Sequence, residues 1–162
     1  MSGLIGGRGS KSGIIGITEG KKPGFMAYHS GADIDYSVGD IIPFGGGSSG
    51  TAGGKQFDTM NNFDNTTNYR FTAPIAGVYL FTGQINGNAD SGVPRARWRI
   101  NGGSIGNDIH FRGCSNLAAG DLDQRSYTVI LKLQKNDYVD VYVHAEKFDL
   151  FGANSMSGHL LS

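Results

Sequence analysis

The sequence predicts an all-β sandwich, and three observations carry that prediction. Stretches rich in strand formers recur every 10 to 15 residues, with turn signals between them. No apolar pattern of helical period persists over a useful length. Glycine supplies 27 of the 162 residues, about 16 of them before Lys55, which suits loops and turns and penalises helices. A chain of this length can build one substantial core, burying roughly 70% of the surface that it exposes when unfolded.

Met1 to Lys22, which reads MSGLIGGRGSKSGIIGITEGKK, stands apart from the rest. Gly3-Leu4-Ile5-Gly6 recurs as Gly13-Ile14-Ile15-Gly16. Apolar pairs set in glycine return too little burial to fix their own backbone. The segment is therefore either a solvated tail or an anchor that orders on docking. The otherwise wasted side chains of Leu4, Ile5, Ile14 and Ile15 favour the anchor. Gly7 to Ser12 includes Lys11-Ser12 but lacks the spacing and the preceding strand of a phosphate loop.

Pro23 to Phe44 predicts a short strand at Gly24 to Tyr28, a turn-rich loop carrying Asp33, Asp35 and Asp40, and a second short strand at Ile41-Ile42 before Pro43. Gly45 to Gly54, GGGSSGTAGG, reads as a flexible loop. Asp58 to Asn68 is rich in Asn, Asp and Thr, which is ordinary turn chemistry. The same oxygens suit calcium, but the EF-hand spacing is absent.

Phe71 to Phe81, FTAPIAGVYLF, is the centre of the chain. Phe71-Thr72 forms strand, Pro74 breaks it, and a long strand starts at Gly77. One of its faces carries Tyr79, Phe81, Gly83 and Ile85, and the other Val78, Leu80, Thr82 and Gln84. The strand begins apolar on both faces, so its second face needs a cover beyond its own core. Arg95 to Ile100 alternates, with Arg95, Arg97 and Arg99 on one side and Ala96, Trp98 and Ile100 on the other. The three arginines are either a solvated face or a cationic strip for an anionic glycan or acidic partner. As an exposed strip, they should tolerate substitution to Ser without loss of folding. Asn101-Gly102-Gly103 is a tight turn.

Ile109 and Phe111 alternate with His110 and Arg112, and a loop follows through Asp121 and Asp123. Tyr127, Val129, Leu131 and Leu133 share one face of the next strand, and Thr128, Ile130 and Lys132 the other. After a turn at Gln134 to Asn136, Val139, Val141 and Val143 point inward, leaving Tyr138, Asp140, Tyr142 and His144 to face water. Lys147 to Asn154 reads as a loop bearing Phe148, Leu150 and Phe151, and Met156 to Ser162 as the closing strand.

Composition excludes several functions. Charged residues are 17% and the formal net charge is zero, unlike an electrostatic nucleic-acid binder. No apolar run approaches the roughly 18 residues of a membrane helix. No basic segment leads into an apolar one at the N-terminus, so no secretory signal is expected. Cys114 is the single cysteine, which rules out an intrachain disulfide and suits folding in a reducing cytoplasm. His29, His110, His144 and His159 are scattered without zinc spacing, and no GxSxG elbow occurs. The paired carboxylates Asp33/Asp35 and Asp121/Asp123 sit in turn-like sequence. No enzyme activity and no cofactor are expected.

FTAPIAGVYLF resembles the signature strand pair of complement C1q-like globular heads, of the jelly-roll superfamily shared with tumour necrosis factor. Weaker similarities accompany it. Pro23 to Ala27 resembles the first strand of that family, and Ile41 to Phe44 with Phe57 the segment before the signature. Leu133, Asn136, Asp137, Val139 and Val141 are similar to its late strand pair, with Asn136 where glycine is common. Met156 to Leu161 resembles its closing strand, with Met156 in place of Phe. The resemblance spans Pro23 to Ser162. It implies a ten-stranded-type jelly-roll β-sandwich at 23–162 that trimerises and binds partners without catalysis, preceded by an extended segment at 1–22.

That segment resembles the N-terminal peptides that tether fibres or knobs in tailed-phage virions. The combined expectation is a virion structural protein made in the host cytoplasm, held to other virion proteins through Leu4, Ile5, Ile14 and Ile15. Val78, Leu80, Ile130 and Leu161 would form the homotrimer interface. A host surface glycan or protein would be contacted through Arg95, Arg97 and Arg99. Nucleic-acid binding and membrane insertion are not expected. A cellular C1q-like recognition module is the alternative.

Overall fold

The computed structural model describes residues 22–46, 51–88, 95–105, 110–112, 123–145 and 148–162. Leu4, Ile5, Ile14, Ile15, Cys114 and Asp121 lie outside them. Eleven strands are present among the described residues, and no helix. They are β1 (Gly24–Tyr36), β2 (Thr51–Asp58), β3 (Phe63–Asp64), β4 (Arg70–Thr72), β5 (Gly77–Asn88), β6 (Arg95–Ile100), β7 (Gly103–Ser104), β8 (His110–Arg112), β9 (Asp123–Leu133), β10 (Tyr138–Ala145) and β11 (Phe148–Leu160). One sheet has the order β2-β1-β11-β5-β9, and the other β3-β4-β10-β6-β7, with β8 paired to β6. All the described pairings are antiparallel, and the first and last strands lie side by side in the middle of the first sheet.

The inward residues of both sheets form one aromatic core. Phe25 stacks on Phe63 at 4.4 Å between ring centroids, Phe71 meets Phe81 edge-on at 5.6 Å, and Phe81 lies 5.9 Å from Trp98. A Cβ at Gly158 would stand 2.5 Å from Phe81 and 2.9 Å from Phe25, so this glycine gives the rings their space. Tyr79 is buried, and its hydroxyl donates to the Ile75 carbonyl at 2.7 Å. Tyr79, Phe81 and Ile85 face inward, as do Val129, Leu131 and Leu133 and Val139, Val141 and Val143, all in the alternation read from the sequence.

Two turns follow from residues in the left-handed region. Asn101 and Gly102 take φ of 52° and 76° and join β6 to β7 as a two-residue hairpin. Asn136 takes φ of 73° between β9 and β10, a conformation that Asn tolerates and most residues do not.

Four local expectations fail. β1 does not end at Tyr28 but runs to Tyr36, absorbing an irregularity between Gly31 and Ile34. Ile41 makes only an isolated bridge to Tyr142 rather than a strand with Ile42, which is fully buried. Thr51 to Gly54 pairs with β1 instead of forming loop. The Tyr28 ring covers Gly54, with its hydroxyl 3.2 Å from where a Cβ would lie, so an aromatic neighbour supports a glycine strand. The segment from Phe148 is strand, paired to both β1 and β5, with Leu150 fully buried. Gly152, at φ of 71°, falls where the register with β5 shifts between Leu150 and Ser155, and this interruption disguised the strand.

Candidate functional site

The two outer faces differ in chemistry. On the five-stranded sheet, Leu80 stands opposite Ile130 on one side and His159 on the other. Ile130 is 61% exposed and Leu161 39%. The Leu161 amide donates to the Val78 carbonyl at 2.8 Å, and Lys132 is opposite Val78. Val78, Leu80, Ile130 and Leu161 thus form one apolar patch near the end of this face, with Val78 and Leu80 half-buried. Further along, it turns polar, as Thr128 and Thr82 share a hydroxyl hydrogen bond at 3.4 Å and Gln84 pairs with Ser126. Beyond β11, the same face carries Met26 opposite Phe57, and Phe57 is 47% exposed.

On the six-stranded sheet, Arg95, Arg97 and Arg99 lie on the outer side of β6, half-buried, while Ala96 and Trp98 are in the core. Arg99 Nε donates to Asp140 Oδ1 at 2.6 Å and Nη2 to Oδ2 at 2.9 Å, a two-pronged pair across β6 and β10. The Arg99 guanidinium lies 4.4 Å above the Tyr142 ring, and that of Arg70 lies 4.1 Å above Tyr138. Asp140 is 1% exposed, so the expectation that it faces water is corrected: the long side chains around it close over it. Arg99 is therefore committed to the fold, which shortens the cationic strip to Arg95 and Arg97. These two, after burial, hold the His144 imidazolium below its usual pKa, and His144 shares a 3.2 Å hydrogen bond with Tyr142. Val78, Leu80, Ile130 and Leu161, expected at a trimer interface, thus lie on the opposite outer face from the arginines.

A third feature was not foreseen. Where β1 leaves the core, a cavity of about 590 Å³ opens between β1, the segment before β2 and the β3–β4 loop. Its lining includes His29, Asp35, Tyr36, Asp40, Pro43 and Tyr69. His29 is 2% exposed. The Tyr36 phenol is pushed above its usual pKa by burial, then by Tyr69 and Asp40, which keeps its hydroxyl protonated. One signal was available: His29 follows Phe25 and Ala27 on the inward side of a strand, which marks it as a buried histidine. The rest of the cavity comes from segments far apart in sequence.

The Asn-rich stretch uses its carboxylates internally. Asp64 accepts hydrogen bonds from the amides of Thr66 and Thr67 and from both nitrogens of Asn68. The Thr66 amide foremost holds its carboxyl well below the usual range. Among the described residues, no three His, Cys, Asp or Glu side chains are grouped to hold a metal ion.

No protein-family model and no curated protein matches the sequence. Solved structures do match. The globular domain of zebrafish complement 1qA protein superposes with a TM-score of 0.65 at 18% identity, covering 87% of this chain and 98% of that one. The fold is a C1q/TNF-like jelly roll. The structure of Eiger TNF from S. frugiperda agrees, with a TM-score of 0.62 at 12% identity over 86% of this chain and 94% of that one. At these identities the C1q/TNF-like likeness is one of architecture.

Proposed function

We propose that this chain is a non-enzymatic virion component, a jelly-roll head that assembles as a homotrimer and is tethered through residues 1–22. The outward apolar patch of Val78, Leu80, Ile130 and Leu161 carries this reading, because such a patch on a soluble surface marks a contact with another chain. Cyclic closure of identical heads would cover it in every copy. The chain enters the domain at Lys22, whose ammonium donates to the Leu161 carbonyl at 3.2 Å. Three tethers would then leave from the rim of the assembled face, on one side of the head. The apolar pairs Leu4-Ile5 and Ile14-Ile15, set in glycine, supply docking side chains for other virion proteins. The similarity of this segment to phage tether peptides supports the virion, and Arg95 and Arg97, on the outer side of β6, are the side chains assigned to a host surface. Three copies would multiply a weak surface contact by avidity.

Two measurements test it. Native mass of the full chain should give three chain masses, and a monomer would end the assembly reading. Protein mass spectrometry of purified phage particles should find the chain in a copy number divisible by three. Its absence from particles would end the virion reading and leave the trimeric head standing.

A further inference from the structure

The cavity beside β1 is a built site with an unused buried acceptor. His29 Nδ1 lies 2.8 Å from the Gly46 carbonyl, and a carbonyl only accepts, so Nδ1 carries the hydrogen. His29 Nε2 is buried and has no hydrogen-bond partner among the described residues. In the neutral ring it is a bare lone pair, and buried polar atoms are ordinarily paired. The cavity that this ring lines, about 590 Å³, falls within the roughly 300–1,000 Å³ of small-molecule sites.

We propose that this cavity binds a neutral, hydroxyl-rich ligand, a sugar ring seated against the two tyrosines, with a small shift of the wall letting one hydroxyl donate to His29 Nε2. The lining decides the class. Asp40 adds a carboxylate acceptor, and the described lining residues include neither lysine nor arginine, so a phosphate or carboxylate ligand would meet like charge. Tyr36, Tyr69, Pro43 and Ile41 provide apolar surface among those acceptors. A pyranose matches both halves: an apolar C–H face and a rim of hydroxyl donors. Among the described residues, Asp35, Asp40 and His29 are not grouped to hold a metal ion.

Much of the wall is set before any ligand arrives. A Cβ on Gly46 would lie 2.6 Å from the Tyr69 ring, so the glycine lets ring and backbone close together. Asp40 accepts from the Ser37 amide at 2.9 Å, and Asp64 fixes the Thr67 amide at 3.0 Å. Fixed walls reduce the ordering cost of binding. The site lies within one copy of the chain, so it depends on neither trimer nor virion.

The test uses the full chain, with ligand-observed NMR and calorimetry against D-glucose, D-galactose, N-acetyl-D-glucosamine, D-glucuronate and spermidine. At least one neutral sugar should bind with a Kd of about 1 mM, and D-glucuronate at least about tenfold more weakly than its neutral counterpart D-glucose. His29→Leu and Tyr69→Ala should each weaken binding about tenfold, while Thr128→Ala, on the outer face of β9, leaves it unchanged. Should His29→Leu fail to fold, Asp40→Ala, at an exposed position, should show the same weakening. The proposal is overturned if no neutral sugar binds up to about 50 mM. It is equally overturned if binding ignores Tyr69→Ala and Asp40→Ala, or if spermidine binds in place of the sugars.

Discussion

The outer face of the six-stranded sheet pairs much of its charge within the chain, whereas that of the five-stranded sheet leaves apolar side chains exposed. On the first, Arg99, Asp140 and Tyr142 close over one another, and Arg70 covers Tyr138. Charge and ring surface there find partners within the same chain. On the second, Leu80 lies between Ile130 and His159 across the strands, with Ile130 largely in solvent. A polar outer face can satisfy itself, because its groups pair locally. An apolar face can be satisfied only by excluding water, which takes another surface. Substitutions on the first face should therefore be read as changes in stability, and those on the second as changes in assembly.

The largest stability effect should come from Arg99→Ser. It would leave the Asp140 carboxylate buried without its cation, at a cost of about 3 kcal/mol, the low end for a broken buried pair because the guanidinium is partly solvated. Urea unfolding measures it. This reverses the expectation that Arg95, Arg97 and Arg99 can all become Ser without effect on folding. Asp140→Ala should cost less, about 1–2 kcal/mol, since Arg99 can then turn to water. Equal, negligible losses in both variants would dissolve the contrast between the faces.

Leu80→Asp and Ile130→Asp should do the opposite, weakening the proposed trimer by about 2 kcal/mol or more per contact. At the 61% exposed Ile130, the change should move the stability of a single folded copy by less than about 0.5 kcal/mol. Native mass and urea unfolding of the same variant separate the two. A variant that keeps its native mass but unfolds more easily would make the patch a structural feature of the monomer.

The two faces also differ in how far the sequence disclosed them. Alternation along β5 and β9 placed Leu80 and Ile130 outward, because unbroken strands keep a period of two. Alternation likewise placed Asp140 outward, but burial of an outward side chain depends on which side chains lie across the strand, here Arg99 and Tyr142. That pairing is long-range, between residues 41 apart. The strand from Phe148 was hidden because Gly152 interrupts its period, and β2 was hidden because its glycines are supported by Tyr28 rather than by their own side chains. The cavity of His29 was beyond reach for a similar reason, as its walls meet only after β1 and the β3–β4 loop are in place.

A smaller effect belongs to Asp64, which holds the β3–β4 loop beside that cavity. Asp64→Ala removes the acceptor of several loop amides and should cost about 1–2 kcal/mol. The low carboxyl pKa makes this contribution complete above the ordinary carboxylate range, and it is lost only as pH falls through the depressed folded value. Acid unfolding of the variant should therefore show a shallower decline below about pH 4 than that of the parent. An unchanged decline would mean that the loop amides find water equally well.

The smallest effect is the most specific to the self-satisfied face. Burial, then Arg97 and Arg95, lowers the pKa of His144 in the folded chain. The unfolded chain takes up that proton near pH 6.5, and the folded chain only at lower pH. Protons therefore favour the unfolded state in the interval between, so the stability contributed by the neutral imidazole is present above about pH 6.5 and declines as pH falls. The urea midpoint should drop between pH 7 and pH 5.5, above the range where Asp64 and Asp137 titrate. His144→Gln should flatten that drop, and Arg97→Gln should reduce it by removing one of the two repelling charges. If Arg97→Gln left the slope as it was, burial and Arg95 would set the pKa without it.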